Sequence, residues 1–279
     1  GSTAAVVSGT LVIGTAIPPF LIFFLGAPLA LLATGRARQV ILILIGALAL
    51  AAVLFLPGGY FSGPVAGGIM QWNLPFMGYT LTLLRVDSLS YLTGVIFAII
   101  TFLAILYAAA FAPARLHLYA LLYAGASMGV VFAGDWITLF FFWEVMAITS
   151  AFLIWQEAGE AIGAGYRYLL FHGFGGTLLG AGIALLFIGG GSPIVGPLAG
   201  IPDVTYQLWA SVLIVLGIGV NLAFIPLHTW LPDAYPRAHI AASVFLSVYT
   251  TKAAVYLLAR AQPGTEYIAF MGALMAVYG

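Results

Sequence analysis

"TLFFFWEVMAITSAFLIW", residues 138–155, decides the fold. A helix crosses the hydrocarbon core with roughly 20 mostly apolar residues, and this run fits that length. Its one charged side chain, Glu144, stands near the middle, where an ionised carboxylate costs several kcal/mol. The whole chain is built in the same way: 63% of its 279 residues are hydrophobic and 6% are charged, with a mean hydropathy of +1.15. That is the composition of an integral membrane protein, because a soluble domain needs a charged surface. Eight basic and eight acidic residues cancel, so there is no basic surface for nucleic acid. With no cysteine, disulfides, thiolate metal sites and thiol catalysis are excluded together.

Outward from this run, hydropathy marks eight spans near residues 11–33, 40–56, 89–112, 116–134, 136–155, 166–189, 207–227 and 238–260. A ninth begins at "EYIAFMGALMAVYG" and is too short to span, so the chain reads as the N-terminal part of something longer. The start, "GSTAAVVSG", has neither an initiating Met nor a basic leader region, and reads as a cropped start without a signal peptide. Residues 57–87 hold glycines, prolines and an alternating stretch, which predicts an extracytoplasmic hairpin. Cytoplasmic loops collect Lys and Arg. An outside N-terminus puts Arg36, Arg38, Arg115, Arg167 and Arg237 on the inner side and Arg85 and Arg260 on the outer, the better of the two placements. In "FIPLHTWLPDAYPRAH", Pro226, Pro232 and Pro236 each remove a backbone donor, which predicts a break at the end of the seventh span.

The polar residues inside the spans are the functional candidates. Glu144 reads either as a proton carrier or as a permanently protonated acid that bonds a neighbouring helix; the first is favoured because intramembrane acids usually mark ion pathways. Lys252, the only lysine, lies in "SVYTTKAAVYLLAR". Tyr249 and Tyr256, three before and four after it, are expected on its helix face, holding a water chain to the amine. Lys252 reads as a proton relay or as the structural partner of a buried acid. His172, in "YRYLLFHGFGGTLLG", reads equally as a relay or as a donor of one packing hydrogen bond. His228 and His239 bracket the seventh-span break and are expected to line a half-channel. His117 is expected at the interface, and Ser243, Ser247 and Thr250 read as helix-packing groups. "HTWLPD" also fits the His-x4-Asp spacing of some acyltransferases, with His228 as base and Asp233 as its orienter, but no phosphate-binding motif follows. No His or acidic residues stand at a metal-ligand spacing, so no metal or cofactor is expected.

"AGDWITLFFFWEVMAITSAFLIW" (133–155) and "NLAFIPLHTWLPDAYPRAHIAASVFLSVYTTKAAVYLLAR" (221–260) resemble the antiporter-like membrane subunits shared by Mrp-type cation/proton antiporters, respiratory complex I and membrane-bound hydrogenases. "YRYLLFHGFGGTLL" looks most like the D-type member of the Mrp group. The resemblance implies an all-α polytopic bundle: three N-terminal helices in 1–115, a five-helix repeat in 116–260 with a broken seventh helix, and in 261–279 the start of a truncated inverted second repeat. It implies that Glu144 and Lys252 are proton-transfer residues of one component in a multisubunit assembly in a prokaryotic cell membrane, coupled to sodium export or to redox chemistry. It gives this component no redox or hydrolytic site of its own and leaves open whether the assembly is an enzyme. The family places a lysine five residues before Pro226, where this chain has Asn221. An amide can hydrogen-bond Glu144 but cannot offset its charge. Either Lys252 or His172 takes the cationic role, or this half-channel works differently or not at all. A non-conducting structural subunit is therefore the alternative.

Overall fold

The computed structural model describes residues 17–57, 59–60 and 70–278. Along the chain come α1 (Pro19–Leu32), α2 (Gly35–Leu54), strands β1 (Met70–Phe76) and β2 (Tyr79–Val86), α3 (Ser88–Ala108), α4 (Ala114–Phe132), α5 (Trp136–Ile154), α6 (Glu160–Ile188), α7 (Val204–Leu222), the short α8 (Trp230–Ala234), α9 (Ile240–Val248), α10 (Thr250–Ala261) and α11 (Glu266–Tyr278). Seven segments among the described residues are long and apolar enough to cross a membrane: α2 to α7, and α9 with α10 taken as one. The first expected span, 11–33, is described only as the 14-residue α1, since residues 11–16 lie outside the described part.

Aspartates start three of the helices at one end of the bundle. Asp87, Asp135 and Asp203 accept the first free N–H groups of α3, α5 and α7, which an Asp ahead of an apolar run predicts. Asp135 also accepts Thr82 N–H at 2.6 Å, tying the hairpin to α5. The hairpin stands where it was expected, with β1 and β2 antiparallel. Met77 and Gly78 both have positive φ, the two-residue turn whose twist matches paired strands; residues 58 and 61–69 lie outside the described part.

Small residues set how closely the helices approach. Tyr123–Phe132 of α4 is buried throughout. A Cβ on Gly125 would meet Phe20 O and Phe23, and one on Gly129 would collide with the Phe142 ring. These glycines let α1 and α5 close on the central helix.

Three expected boundaries move. α6 begins at Glu160 rather than near 166, because Gly159 takes the positive φ of 69° before it and Glu160 places an acid in the first turn. α7 stops at Leu222: Ala223 turns left-handed, Phe224 N–H closes on Gly219 O at 2.9 Å, and Pro226 has no N–H to carry a helix onward. The eighth expected helix is divided at Tyr249 into α9 and α10. Val248, Thr250 and Thr251 are β-branched and hold helix weakly, and the exposed N–H of Thr250 finds the Tyr123 hydroxyl at 3.0 Å.

Asp87 joins two ends of the chain. It caps α3 in a reciprocal bond with Ser90 and accepts from Arg260 of α10, whose Nε donates to Tyr256. Burial alone would raise its pKa, but the Arg260 and Ser90 bonds outweigh it and hold the carboxyl below the ordinary range. Asp87→Ala is expected to lower stability by about 2–4 kcal/mol, the cap plus a charge-assisted bond. Asp87→Asn, which keeps the cap, should lose less. Because the folded-state pKa is depressed, this stability is complete above the unfolded aspartate value and is lost as pH falls through the folded one. Thermal unfolding in detergent across pH 2–6 for the three proteins is the check; equal loss in Asp87→Asn and Asp87→Ala would remove the cap from the account.

Candidate functional site

Glu144 projects from α5 onto α6, where Gly176 leaves room for it. A Cβ on Gly176 would collide with Glu144 Oε1, and one on Gly180 would touch the Phe140 ring at 3.1 Å. Glu144 is half-buried, and its Oε1 has no hydrogen-bond partner among the described residues. The opposite flank of α6 carries a second glycine seam against α7. A Cβ on Gly175 would lie 2.9 Å from Val220 Cβ, on Gly182 2.7 Å from Ile214 Cγ1, and on Gly217 2.7 Å from Leu179 N. Gly173, by contrast, meets nothing within 4 Å among the described residues.

His172 stands one turn before these glycines and is buried. Its Nδ1 bonds the Tyr168 carbonyl at 2.9 Å, its ring stacks on Tyr168 at 3.9 Å, and Trp230 meets it edge-on at 4.5 Å. Its Nε2 has no partner among the described residues. Asn221, at the end of α7, is fully buried, and among the described residues both its amide atoms are unpaired. Trp230 Nε1 donates to the adjoining Val220 carbonyl at 2.8 Å.

Lys252 differs from expectation. It is exposed on the flank of α10, and among the described residues no acid lies within 4.0 Å of it. Tyr249 and Tyr256 turn into the core instead of toward its amine: Tyr249 pairs with Thr101, and Tyr256 donates to Val131 O. The break at Tyr249 interrupts the helical phase assumed between Tyr249 and Lys252, whereas Tyr256 shares the unbroken α10 with Lys252 and is drawn from it by the Val131 carbonyl. His239 caps α9, accepting Ala241 N–H at 3.1 Å, while His228 meets Tyr278 at 3.2 Å. Pro226 is exposed, after a cis peptide bond. His117, expected at the interface, is buried.

The acyltransferase-like reading of "HTWLPD" fails on geometry. Asp233 is held by Arg167 through two bonds, 2.7 and 2.9 Å, and by Arg237 at 2.6 Å, while His228 faces Tyr278. The Arg167 bond keeps the Asp233 carboxyl below its ordinary range. With Glu160 bonded to Arg237 at 3.0 Å, these four residues pin the start of α6 to the segment after α8.

Sequence reasoning missed a chain of hydroxyls at the α9–α10 break. Ser150 donates to Met146 O at 2.7 Å, so with one proton on each hydroxyl Tyr168 donates to Ser150 at 2.9 Å, Thr250 to Tyr168 at 3.3 Å, and Tyr123, which also accepts Thr250 N–H, to Thr250 Oγ1. In this order every hydroxyl donates once, and the chain ends on a backbone carbonyl. It therefore locks four helices together. Only Thr250 had stood out in the sequence, as a packing group; tyrosines in apolar helices look like ordinary core residues.

Residues 133–278 match the family described as NADH:quinone oxidoreductase/Mrp antiporter, transmembrane. The chain belongs to this family. It is 30% identical over 219 residues to the A-type Na+/H+ antiporter subunit of Alkalihalophilus pseudofirmus, a match covering 73% of this chain and 27% of that protein. The chain thus spans about a quarter of the length of this relative. The finer likeness in "YRYLLFHGFGGTLL" was to the D-type member of the Mrp group, whereas this relative is of the A type. In fold it resembles a chain of the Mrp complex from Dietzia sp. (TM-score 0.72, 22% identity, 87% of this chain and 47% of that one) and one of respiratory complex I from Thermus thermophilus (0.74, 19%, 93% and 57%). It is a multi-pass membrane protein of that family.

The two glycine seams yield differently. At Gly176 the obstacle is the tip of a flexible side chain; at Gly217 it is the backbone of α6. Gly176→Ala should change stability by less than about 1 kcal/mol, swinging the Glu144 carboxyl aside while gaining helix propensity. Gly217→Ala should cost about 1–3 kcal/mol. Unfolding of both variants in detergent tests the assignment, and equal costs would refute it.

Proposed function

We propose that this chain is part of a proton-translocating subunit of a multisubunit cation/proton antiporter or related complex, with Glu144 as a proton station. One observation carries the reading: a carboxyl in the middle of a membrane helix, seated against a glycine notch and left without a hydrogen-bond partner. An acid kept only for packing is normally satisfied by a partner; one that must take up and release protons has to leave bonding capacity open. Lys252 extends the path to the outer flank of α10, where a neighbouring helix or subunit supplies its partner. Na+ is the cation proposed for exchange, through the resemblance to Na+/H+ antiporter subunits.

The same reading makes residues 116–260 one five-helix repeat and puts the arginine-rich end, with Arg36, Arg38, Arg115, Arg167 and Arg237, in the cytoplasm of a prokaryotic cell. The N-terminus and the hairpin then face outward. A second reading, a non-conducting structural subunit, is favoured by Asn221, an uncharged residue at the buried end of α7. Tests use the parent protein assembled with its partners in inverted vesicles, following cation-driven or redox-driven pH change. Glu144→Gln and Lys252→Ala are each expected to abolish the pH change with assembly intact. Unchanged activity in both would leave the structural reading.

A further inference from the structure

The α6–α7 seam fixes where His172 and Asn221 stand relative to each other. The two helices are antiparallel: Gly182 meets Ile214, Leu179 meets Gly217, and Gly175 meets Val220. Continued by one step, this register sets Asn221 opposite the turn of α6 that begins at His172. Asn221 lies four residues after Gly217 and His172 three before Gly175, so both lie on the faces their helices turn to each other. Trp230 fixes the level, since its ring meets His172 while its Nε1 bonds the carbonyl just before Asn221. Both side chains are at least 99% buried, at 1% and 0% exposure.

Their bonding deficits are complementary. A carbonyl can only accept, so the bond from Nδ1 to Tyr168 O places a proton on Nδ1 and leaves Nε2 of the neutral ring as a bare acceptor. Asn221 has an unused N–H2 donor and an unused carbonyl acceptor. Buried polar groups without partners are rare enough that such a pair calls for a common explanation. We propose that His172 Nε2 and the Asn221 amide form one proton-accepting unit across the α6–α7 interface, joined directly or through a single water. The amide N–H2 donates to the neutral ring. When Nε2 gains a proton, an N–H bond forms there, the ring becomes cationic, and the amide turns to offer its oxygen. An asparagine serves both states; a lysine or an aspartate serves one.

The surroundings leave this unit in contact with the translocation reading. Glu144 of α5 faces Gly176, one turn further along α6, and Ser150 of α5 and Thr250 of α10 bond the Tyr168 hydroxyl behind the ring. Trp230 of α8 and, beyond it, Tyr235 close the cytoplasm-facing side of that reading. The charged groups of this region, Arg167, Asp233, Arg237 and Glu160, are bonded to one another. Glu144 is thus the acid placed to exchange a proton with the unit. Only this last role rests on the proposed function; the pairing stands without it.

Solid-state NMR of the assembled protein in lipid bilayers, with 15N-labelled histidine, reads the pair directly. The chain has four histidines, and His172→Gln assigns the signal by its loss. Wild-type Nε2 is expected at the shift of a hydrogen-bonded acceptor and, in Asn221→Leu, at that of a free one. Should that variant fail to assemble, the near-isosteric Asn221→Asp is expected to show a doubly protonated ring at a pH where the wild type is neutral. An Nε2 signal indifferent to residue 221 overturns the pairing. For the transport role, His172→Gln and Glu144→Gln are compared in inverted vesicles. Loss in both supports a shared path, and loss in Glu144→Gln alone removes His172 from it. Activity surviving in Glu144→Gln overturns the translocation reading and, with it, this role for His172, while the NMR result still decides the pairing.

Discussion

The close approach of α6 to both of its neighbours organises the functional half of the bundle. Gly176 and Gly180 open one flank to α5, and Gly175 and Gly182 the other to α7. In a membrane there is no hydrophobic difference between a lipid tail and a leucine, so helices associate through packing and through the polar groups they can satisfy between them. A helix notched on two sides takes a close neighbour on each. Glu144 of α5 reaches it at Gly176, and α7, which ends in Asn221, packs along Gly175 and Gly182.

Around α6 the structure sorts polar groups into two kinds. The hydroxyls of Tyr123, Thr250, Tyr168 and Ser150 form an ordered chain in which each donor finds an acceptor, and they hold the division between α9 and α10. The groups one turn away, Glu144 Oε1, His172 Nε2 and the Asn221 amide, are left open. Satisfied networks rigidify and unsatisfied ones are costly at low dielectric, so the same sequence supplies a bonded frame and, beside it, polar groups without a partner among the described residues.

Charges outside the spans keep the frame in register. Asp87 ties the start of α3 to the end of α10 through Arg260, and Asp233 ties α6 to the segment after α8 through Arg167 and Arg237. They lie at opposite ends of the bundle, one holding the end of α10 and the other the segment that joins α8 to α9.

The sequence by itself determined the membrane-helix architecture, seven of the eight expected spans among the described residues, the hairpin, the proline break after α7 and the family, because membrane length and turn chemistry are local rules that composition and spacing express directly. It also singled out Glu144, His172, Asn221 and Lys252, since a polar residue in an apolar run is conspicuous. Only the tertiary structure decided what these residues face. The division at Tyr249 interrupts the helical phase that had placed Tyr249 beside Lys252, and at it the Thr250 amide bonds a Tyr123 hydroxyl over a hundred residues away; Tyr256, in the same helix as Lys252, is drawn instead to the Val131 carbonyl. His239 becomes a cap, Asp233 is claimed by two arginines, and the α6–α7 glycine seam sets the register between the helices that carry His172 and Asn221. Each depends on which helix packs where, a non-local outcome that no window of the sequence contains.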